Sequence, residues 1–256
     1  METARVPVPV ATSAPGGETN ALLLGGDDAL LVDPAAASPA IDARLDSVAH
    51  VALTHHHPDH AGAVAEYADR TGATVWARAG RAAAFERAAG VAPDRTFREG
   101  TAIPTGDGPV TVVETPGHAP EHVAFAAGGT LAVGDLAVAE GSVAVLAPEG
   151  DMRAYLTSLR RLHAMATARC LPGHGPAIEE PRAVARRLIE HRRERERRVH
   201  SAVESGARTV AEATDAAYEK DVSAVRSMAE ATVRAHLEKL AVEGRVTFDG
   251  ERAAPA

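Results

Sequence analysis

The sequence predicts an α/β protein in two parts: a sheet-and-helix domain over residues 1–178 and a small helical module over 179–256. Three observations predict it. Up to about residue 178, apolar runs of strand length alternate with turns and helical patterns. Beyond residue 180 the text changes to one long basic helical stretch, two further helices and a short β pattern. The charge changes at the same place: residues 1–180 hold 12 Arg, no Lys and 22 Asp and Glu, a balance of −10, whereas 181–256 hold 15 Lys and Arg against 13 Asp and Glu, a balance of +2.

The elements follow in order. ALLLGG (21–26) and ALLVDP (29–34) read as strands joined by the Gly25-Gly26-Asp27-Asp28 turn. SVAHVALT (47–54) reads as a buried strand, followed by a loop and a helix from about His60 to Arg70. ATVWAR (73–78), PVTVVE (109–114), HVAFAA (122–127) and TLAVGD (130–135) are further strands. MRAYLTSLRRLHAMA (152–166) has a helical period with Tyr155, Leu159 and Leu162 on one face, so Tyr155 is assigned to the core. RCLPGHGP (169–176) reads as a short strand and a turn. In the second part, the helical stretch that begins PRAVARRLIEHRR is followed by TVAEATDAAY, a helix from about Ala224 to Val242, and RVTFDGERA as a hairpin. Helices closed by a β-wing suggest a winged-helix module.

Composition bounds the function. Of 256 residues, 45% are hydrophobic but only 3% aromatic, so the core must be built from Ala, Val and Leu. Cys170 is the single cysteine; it cannot form an intrachain disulfide and is assigned to the core. The N-terminal METARVPVPV lacks the apolar stretch of a secretion signal, and no run of about 18 apolar residues occurs. A cytoplasmic protein with no membrane span is therefore expected. Residues 101–150 contain no Lys or Arg, which disfavours a polyanionic substrate there.

The segment THHHPDH (54–60) carries the chemistry. On an extended chain side chains alternate, so His55 and His57 point one way and His56 the other. Asp59 and His60 follow where the chain turns into a helix, within reach of a neighbouring point. Imidazoles and carboxylates suit Zn²⁺ and similar divalent ions. Three more such residues stand at strand ends beside glycine: His118 in ETPGHAPEH, Asp135 closing TLAVGD, and His174 in LPGHGP.

With these residues the chain resembles the metallo-β-lactamase superfamily, which carries an HxHxDH segment (here His55, His57, Asp59 and His60) followed by ligands that match His118, Asp135 and His174. The resemblance covers roughly residues 1–178 and implies an αββα sandwich with metals at one edge. It implies that His55, His57 and His118 hold one zinc, that Asp59, His60 and His174 hold the other, and that Asp135 bridges them. Manganese or iron are the other metals considered. Asp135 stands where the main zinc β-lactamases carry cysteine, which argues against antibiotic hydrolysis. His57 stands where the flavodiiron branch has glutamate, which argues against a redox centre. The glyoxalase II-like and β-lactamase-like endoribonuclease branches match best, the latter also through YLTSLRRL, PGHGP, EHRRERE and AHLEKLAVEGRV, which extends the expectation of a winged helix to the tail.

Those branches imply a hydrolase in which a hydroxide shared by two zinc ions attacks an ester, thioester or lactone of a small molecule, with Asp59 as the catalytic residue that orients the water and takes its proton. Asp33, in LVDP, matches an aspartate that supports the site from behind, and His122 is positioned to hydrogen-bond within it; Ala119 stands where the family often has Thr or Ser. His50, His163, His191, His200 and His236 lack a partner pattern and are read as structural or exposed. Two other functions compete. One is a single-stranded-RNA endoribonuclease, favoured by the basic helix over 182–198 with its eight Arg against three Glu. The other is a DNA-binding regulator with Arg226, Arg234 and Lys239 on a recognition helix. The basic helix is read first as a solvated helix laced with pairs four residues apart, around Glu190 and Glu194 with Arg186 and Arg198. A homodimer is also admitted, since the tail of related enzymes acts as a lid or dimer surface.

Overall fold

The computed structural model describes residues 1–256. Eleven strands build two facing sheets: β1 (Thr3–Pro9), β2 (Glu18–Leu24), β3 (Ala29–Val32), β4 (Val48–Ala52), β5 (Thr74–Arg78) and β6 (Arg95–Phe97) in the first, and β7 (Ala102–Ile103), β8 (Val110–Glu114), β9 (Val123–Ala127), β10 (Thr130–Gly134) and β11 (Arg169–Pro172) in the second. The first sheet runs in sequence order, antiparallel to β3 and parallel from β3 to β6. The second runs β11-β10-β9-β8-β7, with β10 and β11 parallel. Helices α1 (Pro39–Asp42), α2 (Pro58–Ala61), α3 (Val64–Thr71) and α4 (Ala82–Ala89) belong to the first half, and α5 (Met152–Ala164) and α6 (Pro181–Glu204) follow the second sheet. The chain closes with α7 (Val210–Ala217), α8 (Arg226–Val242) and the hairpin β12 (Val246–Phe248) and β13 (Ala253–Pro255).

Period-two alternation sorts the apolar residues into layers. Leu22, Leu24, Leu30 and Val32 face the second sheet and meet Val112, Val123, Phe125 and Leu171. Their neighbours Leu23, Leu31 and Val51 face outward and pack on Ile41, Val64, Tyr67 and Phe85 of the helices. On the far side, Val113, Leu131, Val133 and Cys170 pack on Tyr155, Leu159 and Leu162 of α5 and on Ala185 and Leu188 of α6. The result is the αββα arrangement. No helix is long and apolar enough to cross a membrane.

Three elements differ from the sequence reading. The strand β1 carries Pro7 and Pro9, which argue against a central strand; it stands at the sheet edge, where a missing N–H breaks no ladder on the open side. The helix expected from His60 to Arg70 is two helices, broken between Ala61 and Val64. There the Ala63 N–H donates to Pro34 O at 2.8 Å, and a Cβ on Gly62 would lie 2.3 Å from Ala35 O, so the break lets the chain press against the segment after β3. The helix α4 comes from RAAAFERAA, whose Ala content masks its period; only Phe85 and Ala89 are buried on it.

The tail is built around α6. Its first half belongs to the α5 layer, and its second half supplies Val199 and Val203 to a separate core with Val233, Leu237 and Leu240 of α8 and Val246 of the hairpin. The reading of α6 as a solvated basic helix is corrected in part. Arg197 and Arg198 do pair with Glu194, but Glu190 pairs with nothing. Arg187, Arg192 and Arg195 instead turn inward and donate to backbone carbonyls: Arg187 to Val138, Ala139 and Gly141, Arg192 to Val143, and Arg195 to Ala217. On α8 the residues of the regulator reading are equally engaged. Arg226 pairs with Asp215 and Glu230, Arg234 donates to Gly250 O over the Phe248 ring, and Lys239 is 8% exposed between Glu196 and Glu243. Their charges are thus met within the module by carboxylates and a carbonyl.

Glu196 joins α6 to α8. Burial alone would raise its pKa, but the His236 ring 3.8 Å away and the Lys239 ammonium at 2.7 Å outweigh this and hold it down to about 2. A depressed carboxylate stabilises the fold above its unfolded value of about 4.3, and that contribution is lost as pH falls towards 2. Glu196→Gln should therefore cost about 1–3 kcal/mol at pH 7, and the variant should lose less stability than the parent between pH 4.5 and 2. Urea midpoints of both proteins across that interval check this; parallel curves would remove Glu196 from the docking of α8.

Candidate metal centre

The site lies where strands of both sheets end. Asp33 follows β3, Thr54 and His55 follow β4, Asp135 follows β10, and His174 follows β11. His118 lies in the loop after β8, and His57, Asp59 and His60 form the first turn of α2, with Pro58 at its start. The carboxyl ends of parallel strands are where open α/β sheets bind ligands, because the loops there diverge.

The ring orientations follow from what stands behind each histidine. His118 Nδ1 lies 2.6 Å from Ala144 O, and His174 Nδ1 lies 2.8 Å from Glu18 O. A carbonyl only accepts, so both Nδ1 atoms carry the proton and both Nε2 lone pairs face the site. His60 Nδ1 donates to Asp33 Oδ2 at 2.9 Å, with the same consequence. For His55 the argument runs through Thr54. Its hydroxyl donates to Asp33 Oδ2 at 2.7 Å, so it must accept from His55 Nδ1 at 3.0 Å, and His55 Nε2 is left as a lone pair.

These lone pairs converge. His57 Nδ1 lies 2.9 Å from His55 Nε2 and 3.0 Å from His118 Nε2. One proton on His57 Nδ1 can satisfy only one of the two. On the other side, His60 Nε2 and Asp135 Oδ1 are buried, have no hydrogen-bond partner and lie 3.7 Å apart. His174 Nε2 is 3.5 Å from Asp135 Oδ2 and 3.7 Å from Asp59 Oδ2. Ligands bound at about 2.1 Å to one tetrahedral ion stand ~3.4 Å apart, which these separations bracket. Three overlapping sets have ligand atoms within 4.8 Å of one another: His55, His57 and His118; His55, His60 and Asp135; and Asp59, His60 and His174. The structure thus brings all seven residues of the sequence reading to one place, and the unmatched lone pairs fit divalent cations.

The two ends of the site differ electrically. Burial and neighbouring imidazoles lower the pKa of His55, and burial lowers that of His118, so both stay neutral. Burial also opposes charge on His60, but Asp33, Asp135 and Asp59 outweigh it and lift His60 to about 9, so its Nε2 holds a proton that a bound cation would displace. His174 is raised through Asp135 in the same way, and Asp135 is held well below the usual carboxylate range by His174, His60 and His118 against the effect of its burial. One end offers neutral nitrogens, and the other offers carboxylates with two histidines. Space is tight: a Cβ on Gly173 would lie 2.5 Å from Asp135 Oδ1 and 2.8 Å from His60 Cε1, so only glycine fits between them.

Other residues of the reading fall around this cluster. His122 stands behind it; Nδ1 meets Thr115 Oγ1 at 2.8 Å, Nε2 accepts from the Asp135 N–H at 3.1 Å, and burial lowers its pKa to about 3. His56 turns away, with Nδ1 3.5 Å from Glu121 and its ring edge-on to Phe85. Tyr155 is buried and donates to Leu136 O at 3.0 Å, and Cys170 is buried in the α5 layer. Sequence reasoning missed Thr54 and also Thr12, whose hydroxyl donates to Asp59 Oδ2 at 2.6 Å. Thr54 adjoins the histidines and could have been suspected; Thr12 lies 47 residues away in a loop, and nothing in its surroundings marks it.

A cleft of about 790 Å³ opens over the cluster. His57, Asp59, His118, Asp135 and His174 form its floor, the 11–16 loop one side, and Val138, Val143, Leu146 and Met228 another.

Fold and site together define a candidate metal centre at the edge of an αββα sandwich. The chain belongs to the metallo-beta-lactamase superfamily: residues 14–174 match that family, and residues 209–253 match the beta-lactamase associated winged helix domain. It is 34% identical to a hydroxyacylglutathione hydrolase of Rhodospirillum rubrum over 53% of this chain and 52% of that protein, so the chain spans about half the length of that relative. It is 30% identical to the beta-lactamase-like protein 2 homolog of Drosophila melanogaster over 71% of this chain and 66% of that protein. A beta-lactamase domain protein from Burkholderia ambifaria superposes with a TM-score of 0.82 at 24% identity, covering 99% of this chain and 91% of that one, which speaks to the fold.

Two variants test the supports. Asp33→Asn replaces acceptors of His60 and Thr54 by an amide, and should lower metal affinity about 10–100-fold, read by competition with a chelating dye. Arg192→Met tests the loop that carries Ala144. Arg192 is 3% exposed, with no carboxylate beside it, and donates to Val143 O, one residue from the carbonyl that orients His118. Removing the guanidinium relieves a buried charge but leaves the Val143 carbonyl without its donor, a cost of about 1–3 kcal/mol. The metal-free variant should stay folded and bind metal about tenfold more weakly; unchanged affinity would break the proposed link to His118.

Proposed function

We propose that this chain is a metal-dependent acyl hydrolase acting on a small thioester, ester or lactone, with thioesters its best substrates. His55, His57 and His118 would hold one divalent ion, Asp59, His60 and His174 a second, with Asp135 between them; zinc suits this donor set, and manganese or iron are the alternatives. Such ions supply a nucleophilic hydroxide at neutral pH and positive charge for the developing oxyanion.

The observation that carries this reading is the chemistry of the cleft. Its lining contains no Lys, Arg, Tyr or Cys, so apart from the histidines and carboxylates it offers no acid for a strongly basic leaving group. A thiol has a pKa of about 8.5 and leaves as thiolate without help, whereas an alkoxide needs a proton or a cation. Asp59 lines the cleft and is held by Thr12, so it is the group assigned to orient water and take its proton. The bond from water oxygen to the acyl carbon forms, the carbon–sulfur bond breaks, and the thiolate takes up the proton that Asp59 received from water, directly or through solvent. The relationship to a hydroxyacylglutathione hydrolase, named for hydrolysis of an acyl glutathione, agrees with this class. A phosphodiester substrate is disfavoured because no cation lines the cleft and the arginines of α6 that face the neighbouring loop are engaged.

Asp59→Ala should lower kcat about 10²–10⁴-fold and leave the thermal melt of the metal-free protein unchanged. A chelator should abolish thioester cleavage, and added Zn²⁺ should restore it. Raising salt should change kcat/KM little, in contrast to phosphate-backbone binding, whose affinity falls steeply with salt. Full activity in Asp59→Ala, or in chelated protein, would end this assignment.

A further inference from the structure

We propose that the cleft seats an uncharged, apolar acyl chain against a wall that the C-terminal module completes with Met228. The proposal rests on the acyl-hydrolase reading and narrows it to a substrate class. Val138, Val143 and Leu146, from the segment between β10 and α5, line one side of the cleft, and Met228, from the first turn of α8, stands with them. The two elements are tied, because the Ala147 N–H donates to Ala231 O at 3.2 Å. The wall is therefore a joint surface of sandwich and tail.

Charge sets the selectivity. The ionisable side chains that line the cleft are its histidines and Asp59, Asp135 and Glu140, and Lys and Arg are absent. Glu149 adds a further carboxylate 3.7 Å from His57 Nε2. Arg187 reaches the same segment but is turned onto the carbonyls of Val138, Ala139 and Gly141. A carboxylate at the far end of an acyl chain would shed water there and meet acids without a counter-cation, which is unfavourable. Methylene groups on the same wall leave water for Val, Leu and Met, which is favourable. A methionine is flexible enough to accommodate chains of different length. Bound divalent ions would attract a carboxylate, but they sit at the floor, where the reacting carbonyl must go, and an anion drawn there competes with the substrate.

The test uses thioesters of one small uncharged thiol, N-acetylcysteamine, carrying acetyl, hexanoyl or adipoyl groups. Hexanoyl and adipoyl have the same chain length, and adipoyl ends in a carboxylate. Thiol release by the full-length, zinc-loaded protein should give hexanoyl a kcat/KM at least about tenfold above adipoyl. Met228→Arg should shrink that ratio about tenfold or more; Met228→Leu should keep the ratio. Metal content and melting temperature are measured on the same samples, and if Met228→Arg loses either, Val138→Arg places the same charge on the same wall. If none of the three thioesters is cleaved, the acyl-hydrolase reading falls. If acetyl is cleaved but hexanoyl and adipoyl are equal, that reading stands and the apolar subsite is overturned. A hexanoyl preference that ignores both arginine variants overturns the assignment of the wall.

Discussion

Asp33 is 1% exposed, so its carboxylate must take every hydrogen bond from the protein. It takes three: from the Thr54 N–H at 2.7 Å, from the Thr54 hydroxyl at 2.7 Å, and from His60 Nδ1 at 2.9 Å. Through Thr54 it also dictates which nitrogen of His55 carries the proton. A single buried anion thus orients one histidine from each group of ligands. The backbone yields to the same demand. Asp33 sits at φ +52°, a conformation that a non-glycine residue tolerates best when its side chain is short and bonded locally. An unbonded carboxylate here would cost several kcal/mol, more than the strain of the turn, so the hydrogen bonds decide the conformation.

The sandwich explains why ligands so far apart in sequence meet. Asp33 and Thr54 end adjacent parallel strands of one sheet, and Asp135 and Gly173 end adjacent parallel strands of the other. Facing sheets bring the two pairs together at one edge, where the loops turn back. The carbonyls of Glu18, at the start of β2, and of Ala144, in the segment after β10, then fix the rings of His174 and His118. Rigidity at the site is a property of the strand ends, and Gly173 shows its cost: no side chain can be added without meeting Asp135 and His60.

Much of this is legible in the residues, for a physical reason. Metal ligands must be His or Asp, and strand alternation decides which can share a direction, so His55, His57 and His118 can be picked from the text while His56 is set aside. The unbroken apolar runs of ALLLGG and ALLVDP likewise suit strands buried on both faces. What is illegible is what backbone does. Glu18 and Ala144 contribute through carbonyl oxygens, which every residue has. Thr12 acts from a loop with no period. The break between α2 and α3 arises from a close approach to Ala35, which local propensity does not record. The tail was misread for a different cause. A run of arginines looks solvated when counted by charge, but a long aliphatic stem allows burial, and carbonyl oxygens rather than carboxylates receive Arg187, Arg192 and Arg195.

That reassignment changes how the two parts relate. If the arginines of α6 were free, the acidic sandwich and the basic tail would be a catalytic body beside an anion-binding arm. Because Arg187 and Arg192 are bonded to the segment between β10 and α5, the tail acts as a brace on the side of the metal centre, while Arg182, Arg186 and Arg193 stay exposed. Arg187 and Arg192 hold Val138 through Val143, Ala144 follows directly, and its carbonyl receives His118. Met228 then reaches the cleft from the same module. A helix long enough to enter both cores lets one element fix the orientation of a histidine and the position of the cleft wall together, which a flexible linker between two independent domains could not do.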